Sequence, residues 1–89
     1  MIYNLRISKD LDKFLNKHRD IAPKIIECLD KISQNPFDNE LDIRPLVGYK
    51  NHYRLRISKY RILYEILKDE ILIYAYDADS RGDIYKGQR

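Results

Sequence analysis

The stretch YRLRISKYRILY, residues 53–64, is the most informative part of this chain for its fold. Basic side chains alternate there with Tyr, Leu and Ile at a period of two residues, which is typical of β-strands that bury one face. A short polar break at residues 58–59 divides the stretch into two strands. Because the break is so short, we expect an antiparallel hairpin with a tight turn.

The arginines of these two strands are predicted to share the face that points away from the core. Successive side chains leave opposite faces of a strand, so Arg54 and Arg56 point outward when their apolar neighbours point inward. The hairpin then brings Arg61 across from them. Three guanidinium groups within about 10 Å repel one another unless an anion lies among them. A phosphate diester fits this need, since Arg binds phosphate oxygens in a bidentate manner.

The charge distribution along the chain supports an anion site on this face. The net charge is only +3, but between Asp42 and Glu65 there is no acid, one His and six basic residues, namely Arg44, Lys50, Arg54, Arg56, Lys59 and Arg61. Most of the acidic residues lie earlier in the chain, or from Asp69 onward. A solvated sheet face is the competing interpretation, because Lys and Arg are mostly exposed. The lack of acids over the same interval favours the anion site.

Two helices are predicted to precede the hairpin. IYNLRI at 2–7 alternates like a strand, and Ser8 after it is a good N-cap residue. The first helix carries its inward stripe at Leu11, Phe14, Leu15 and His18. The second opens near Asp20, tolerates Pro23 in its first turn, and turns Ile21, Ile25, Cys28, Leu29 and Ile32 inward.

The pattern as a whole predicts an α+β fold of order β-α-α-β-β-β. NPFDNELD at 35–42 is a loop by composition, and strand-like stretches follow at 53–58, 60–66 and 71–76. Residues 43–47 add a possible short strand, with Gly48 turning the chain after it. We expect an antiparallel sheet with the helix hairpin packed on one face, in a single domain that spans residues 1–89.

Several classes of protein are disfavoured by the composition. A lone Cys28 excludes an internal disulfide and a CxxC site, and indicates a reducing, cytoplasmic location. No signal peptide or membrane-spanning stretch is visible. His18 and His52 lie far apart, and neither a metal-ligand motif nor a Gly-rich phosphate loop occurs, so we expect no metal and no cofactor.

Basic and aromatic residues flank the predicted arginine cluster. The ending DADSRGDIYKGQR places Arg81, Tyr85 and Lys86 just after the last strand, where they can lie beside the arginines. Lys50, His52, Lys59 and Lys86 are further candidates for RNA binding. Unpaired RNA suits guanidinium groups and aromatic rings, while no helix carries a basic face that could read a duplex groove. His52 is either a surface residue at the strand edge or a proton carrier, and Tyr64 is expected in the core.

Residues 41–86, LDIRPLVGYKNHYRLRISKYRILYEILKDEILIYAYDADSRGDIYK, strongly resemble the RelE branch of the RelE/ParE toxin superfamily. The resemblance lies in a Leu-x-Gly-Tyr turn, YRLRI, YRILYEI, an apolar strand, and an arginine followed by Ile-Tyr-basic. It implies the microbial RNase-like fold of these toxins and a metal-independent mRNA endonuclease of a type II toxin–antitoxin pair, acting in the ribosomal A site. The ribose 2′-hydroxyl then attacks the adjacent phosphate. Implied partners are a cognate RelB-type antitoxin, the ribosome and mRNA, with operator DNA bound only through the antitoxin.

The resemblance also assigns catalytic positions, by match to the family pattern. These are Arg54, Arg56, Arg61 and Tyr85, with Arg81 near the C-terminal arginine of the family. Relatives have lysines at the first two positions, and Arg cannot act as a general base. Tyr85, His52, Lys50 or the ribosome then remain as the base. Two alternatives stay open: a ParE-like inhibitor of DNA gyrase, and a catalytically inactive member that only binds its antitoxin.

Overall fold

The computed structural model describes residues 2–37 and 40–80. In chain order the elements are strand β1 (Asn4–Ile7), helices α1 (Lys9–Lys17) and α2 (Ala22–Gln34), strands β2 (Ile43–Pro45), β3 (His52–Ile57) and β4 (Tyr60–Leu67), a 3-10 turn (Lys68–Glu70), and strand β5 (Leu72–Ser80). The predicted order of elements is confirmed, including the short strand that begins at Ile43. Gly48 turns the chain with φ +85°, in the left-handed region that favours glycine.

The strands form one five-stranded sheet in the order β1-β5-β4-β3-β2. β2 to β5 pair antiparallel in sequence order, as the hairpin pattern predicts. β1 instead pairs in parallel with β5, with Asn4 beside Leu72 and Ile7 beside Ala75. The sheet is therefore mixed rather than wholly antiparallel. The alternation of residues within a strand does not show whether the strand pairs in parallel or antiparallel. The direction of β1 relative to β5 depends on how the helices return the chain to the sheet.

Ser8 joins the first helix to the sheet. Its hydroxyl oxygen accepts a hydrogen bond from the Leu11 backbone N–H at 3.1 Å, which is the predicted N-cap. The same hydroxyl donates to the Tyr76 carbonyl at 2.6 Å. α2 begins at Ala22, two residues after Asp20, with Pro23 in its first turn. Because Pro lacks a backbone N–H, this position costs the helix no internal hydrogen bond.

The core lies between the two helices and one face of the sheet. α1 buries Leu11 and Leu15, while α2 buries Ile25, Cys28, Leu29 and Ile32, which agrees with the predicted stripes. From the sheet come Leu55, Ile57, Tyr60, Ile62, Tyr64, Ile66, Ile73 and Ala75. Burial raises the pKa of the Cys28 thiol, so that thiol behaves as a small apolar core group. The opposite face of the sheet carries no helix within the described residues.

β5 extends four residues beyond the predicted end at residue 76. A register shift at Leu63/Tyr64 leaves Tyr76 as the extra residue of a β-bulge, since Tyr64 pairs with Ala75 and Leu63 with Asp77. The inward positions on either side of the bulge are therefore three residues apart, at Ala75 and Ala78. This spacing interrupts the period of two on which the prediction depended, so the predicted strand ended too early.

Across residues 2–37 and 40–80, no helix is long and apolar enough to cross a membrane.

Candidate nucleic-acid interface

Four arginines meet on the sheet face that points away from the helices. Arg56 pairs with Arg61 across β3 and β4, and Arg44 pairs with Arg54 across β2 and β3. Directly opposed residues have Cα atoms about 4.5–5.5 Å apart, and same-face neighbours along one strand lie about 7 Å apart. We call these four residues the arginine face. The hairpin thus gathers Arg54, Arg56 and Arg61 on one surface, as the alternation predicts.

Two of these charged side chains are unusually buried. Arg54 is 9% exposed and Arg61 is 7% exposed. Burial, followed by the charge of Arg61, lowers the pKa of Arg54, and Asp42 opposes that shift. Removing a guanidinium group from water costs free energy unless an anion compensates for it. The arginine face is therefore preorganised to bind an anion.

Asp42 supplies one such anion from within the chain. Its Oδ2 accepts a hydrogen bond from Arg56 Nε at 3.0 Å, and its Oδ1 lies 3.8 Å from the nearer terminal nitrogen of Arg54. The Arg56 backbone N–H also donates to the Asp42 carbonyl at 2.9 Å. The Asp42 side chain remains 43% exposed. An incoming phosphate can therefore reach this carboxylate and compete with it.

Acids from β5 also border the arginine face. The register places Asp79 beside Arg61 and Asp77 beside Leu63. We expected the acidic residues to lie away from the arginines, and this is wrong for Asp42, Asp77 and Asp79. The expectation considered only their positions along the chain. The extended β5 and the short β2 bring these residues back to the arginines. The face is thus a mixed charge network in which carboxylates offset part of the repulsion between the guanidinium groups.

Next to the arginine face lies a cavity of about 460 Å³, which we call the aromatic pocket. Its lining residues are Leu46, Tyr49, His52, Leu63, Glu65, Tyr74 and Tyr76. His52 Nδ1 shares a hydrogen bond with the Tyr76 hydroxyl at 3.0 Å, and His52 Nε2 lies 3.6 Å from Glu65 Oε2. Burial, followed by the charge of Glu65, raises the pKa of Tyr76.

The aromatic pocket was not predicted from the sequence. His52 was predicted to be a strand-edge residue or a proton carrier, whereas both of its ring nitrogens face protein groups. Tyr49 comes from the loop before β3, and Tyr76 is the bulge residue of β5. One signal in the sequence could have indicated this pocket. Counting residue pairs outward from the turn at residues 58–59 places His52 opposite Glu65 on the outer face of the hairpin.

The remaining candidate residues divide into two groups. Lys50 precedes β3 and Lys59 follows it, so about 20 Å of strand separates them and they lie at opposite ends of β3. Lys59 instead lies beside the Tyr60 ring, with Nζ 5.5 Å from the ring centroid. Arg81, Tyr85 and Lys86 fall outside the described residues. Tyr64 is fully buried, as expected.

Metal-ligating side chains are not clustered in the part of the chain that the structure describes. Within 2–37 and 40–80, no group of three or more His, Cys, Asp or Glu residues is placed to hold a metal ion.

Comparisons with known proteins agree with this architecture. Residues 4–84 match the family model described as "ParE toxin of type II toxin-antitoxin system, parDE". A protein of Methanocaldococcus jannaschii named "Putative toxin RelE1" is 33% identical over 91 residues, which cover 97% of this chain and 98% of the relative.

Solved structures share the fold. The archaeal RelE-RelB complex from Pyrococcus horikoshii OT3 matches with a TM-score of 0.75 at 23% identity, covering 92% of this chain and 98% of the other. The RelB-RelE antitoxin-toxin complex from Methanococcus jannaschii matches with a TM-score of 0.64 at 27% identity, covering 94% and 99%.

The helix pair and the five-stranded sheet thus form the fold of the RelE toxins. The chain belongs to the RelE/ParE superfamily of toxins from type II toxin-antitoxin systems, which confirms the resemblance of residues 41–86.

Proposed function

We propose that this toxin is a ribosome-dependent mRNA endonuclease that cuts in the A site by attack of the ribose 2′-hydroxyl, without a metal ion, and so inhibits translation. The observation that carries the proposal is the arginine face. In it Arg56 lies opposite Arg61, and the buried Arg54 is the next residue along β3 on the same face. A scissile phosphate placed among these side chains is surrounded by guanidinium groups. Their geometry is fixed by the sheet before the substrate arrives.

The arginines suit the charge that develops during such a cleavage. Attack of the 2′-hydroxyl on the adjacent phosphorus forms a pentacoordinate phosphorane with increased negative charge, and expulsion of the 5′-oxygen leaves a 2′,3′-cyclic phosphate and a 5′-hydroxyl. Arg54, Arg56 and Arg61 donate to the nonbridging oxygens and stabilise that charge. Because Arg61 and Arg54 are buried, their field acts in a low dielectric and is stronger than in water.

Another group must remove the proton from the 2′-hydroxyl, because Arg remains protonated at physiological pH and cannot accept it. Tyr85, His52, Lys50 and the ribosome are the candidates for the base. Of these, His52 has its ring nitrogens directed at Tyr76 and Glu65. Tyr85 and Arg81 stay in the proposal as residues that complete the site from the C-terminal segment. Lys50, Lys59 and Lys86 contribute longer-range attraction to the RNA backbone.

We also propose a cognate RelB-type antitoxin as partner, since the structural relatives named above are RelE-RelB complexes. Two surfaces of this chain suit it. The arginine face fits an acidic segment, and a largely apolar groove of about 740 Å³ along the helices, with Leu15, Ala22 and Ile26 in its lining, fits an amphipathic segment. In this proposal residues 1–89 act as one cytoplasmic toxin domain, and operator DNA is bound only through the antitoxin.

Induced expression followed by primer-extension mapping of transcripts tests the proposed activity. We expect growth arrest and new 5′ ends within codons of translated mRNA, with cleavage of ribosome-bound mRNA in vitro that a single 2′-O-methyl group at the scissile nucleotide abolishes. Arg56→Ala and Arg61→Ala should each lower the cleavage rate about a hundredfold or more. Arg19→Ala removes the same charge from an exposed position between the helices and should not change the rate.

A ParE-like inhibitor of DNA gyrase is the second candidate, favoured by the name of the matching family model. Trapped DNA breaks with intact mRNA after induction would identify that function. Harmless overexpression would identify an inactive member that acts only through its antitoxin.

A further inference from the structure

We propose that the aromatic pocket binds one unpaired base of the RNA strand whose phosphate lies on the arginine face, and that Glu65 selects for bases with exposed N–H donors. This inference rests on the proposed function for its biological setting. The binding event itself requires neither cleavage nor the ribosome.

The position of the pocket relative to the arginines is the first argument. On the face away from the helices, His52 pairs with Glu65, then Arg54 with Leu63, then Arg56 with Arg61. Leu63 lies opposite Arg54 and also lines the pocket. The pocket therefore adjoins the arginines one step along the strand, about 7 Å away. This step corresponds to the reach from a phosphate through its ribose to the attached base.

Aromatic rings make up much of the pocket wall. Tyr49 and His52 rings lie 5.9 Å apart at 62°, and His52 and Tyr76 rings lie 5.5 Å apart at 75°. Tyr74 extends the series, 6.1 Å from Tyr76 at 29°. Tyr49 is 65% exposed, so its ring is accessible for a planar base to stack on. The volume of about 460 Å³ lies in the range of small-ligand pockets, and aromatic side chains are the usual stacking partners of unpaired bases.

Glu65 gives the pocket a preference among bases. A carboxylate only accepts hydrogen bonds, and the Glu65 side chain is 29% exposed at the pocket. Guanine offers adjacent amino and imino N–H groups, and cytosine and adenine offer an amino group, which Asp and Glu accept in nucleic-acid recognition. Uracil presents carbonyl oxygens on both sides of its single imino N–H, and a carboxylate repels them. We therefore expect guanine to bind best and uracil worst.

An apolar side chain of a protein partner is the competing occupant. The continuity with four arginines favours RNA, because an apolar anchor gains nothing from adjacent guanidinium groups. The carboxylate at the pocket wall favours a base as well, since a buried apolar side chain would leave Glu65 without a donor from its ligand.

The test measures binding by fluorescence anisotropy with the full-length chain. The probes are labelled 2′-O-methyl pentanucleotides, which the 2′-hydroxyl mechanism cannot cleave, as G-centred, U-centred and abasic-centred versions. We expect the G-centred probe to bind about five- to hundredfold tighter than the abasic one. Tyr49→Ala should remove most of that difference, because it deletes a ring on which the base stacks. Tyr49 is 65% exposed at the rim, so the substitution leaves the core unchanged. Glu65→Gln should reduce the preference of G over U.

Phe37→Ala serves as the matched control, since Phe37 is 59% exposed and lies outside the pocket. Equal affinity of the wild-type chain for the abasic and G-centred probes would overturn the inference. So would a Tyr49→Ala variant that keeps its base preference but loses affinity for the antitoxin. Base-dependent binding without cleavage of mRNA on the ribosome would support base binding in the aromatic pocket and contradict the proposed nuclease activity.

Discussion

Arg56 is joined to Asp42 twice, by a backbone hydrogen bond from its N–H to the Asp42 carbonyl at 2.9 Å and by a side-chain bond from Nε to Oδ2 at 3.0 Å. The first bond fixes where Asp42 lies, and the second places a carboxylate where the proposed function needs a phosphate. Because that carboxylate also reaches toward Arg54, it reduces the repulsion between guanidinium groups in the ligand-free protein. The sheet can therefore gather buried arginines without an external anion.

Asp42→Asn should tighten the binding of single-stranded RNA. The substitution keeps the backbone bond and the side-chain size but removes the competing negative charge. We expect the Kd to fall about two- to fivefold, which corresponds to roughly 0.4–1 kcal/mol for a pair this exposed to solvent. Titration of a labelled oligonucleotide at fixed salt measures the change.

The control for this experiment is Asp69→Asn, an equal charge change in the exposed 3-10 turn between β4 and β5. A general effect of net charge would tighten binding equally in both variants. In that case Asp42 would not be a local competitor of phosphate.

Arg56→Ala should weaken RNA binding in a salt-dependent manner. Each phosphate contact to a single strand contributes about 0.7 to the slope of log K against log salt concentration. Loss of one contact should reduce the slope by about that amount, with no change in base preference. Arg19→Ala, on the helix side of the molecule, should keep the wild-type slope. An unchanged slope in Arg56→Ala would show that this side chain does not contact the RNA backbone.

The local parts of this fold were predictable from sequence because their signals are local. The alternation in β3 and β4 has a period of two, and the break at residues 58–59 sets the register, so the pairing of Arg56 with Arg61 follows from the order of residues alone. Ser8 as N-cap and the stripes of α1 and α2 depend on spacings within one element. Each of these features is fixed by neighbours in the chain.

Features that depend on distant segments were not predictable in the same way. The parallel pairing of β1 with β5 joins strands more than sixty residues apart. The approach of Asp42 to Arg56 depends on a three-residue strand with too few positions to show a period. The bulge at Tyr76 shifted the alternation of β5 and so concealed the extension of this strand past residue 76, which brings Asp77 and Asp79 to the arginines.

Tyr64→Phe should stabilise the protein. Tyr64 is fully buried, and among the described residues its hydroxyl has no hydrogen-bond partner. Removing a buried hydroxyl that lacks a partner relieves its desolvation penalty, so we expect a gain of about 1 kcal/mol. For a domain of this size that gain raises the Tm by about 4–8 °C. Tyr76→Phe is the contrasting variant, because it removes the bond to His52 and should lower the Tm. A lower Tm for Tyr64→Phe would mean that the hydroxyl is satisfied in solution.

Stability should decline at alkaline pH because three weakly acidic side chains resist ionisation in the folded state. Burial is the main cause that raises the pKa of Cys28 above 9.0 and the pKa values of Tyr64 and Tyr76 above 10.0. The unfolded chain releases these protons first, so it binds fewer protons than the folded chain as the pH rises. The stability they contribute is complete below pH 9.0 and is lost as the pH rises through the raised values. Urea unfolding from about pH 8 upward measures this decline. Tyr64→Phe should make the decline shallower above pH 10.0, whereas an identical slope in that variant would show that Tyr64 does not drive it.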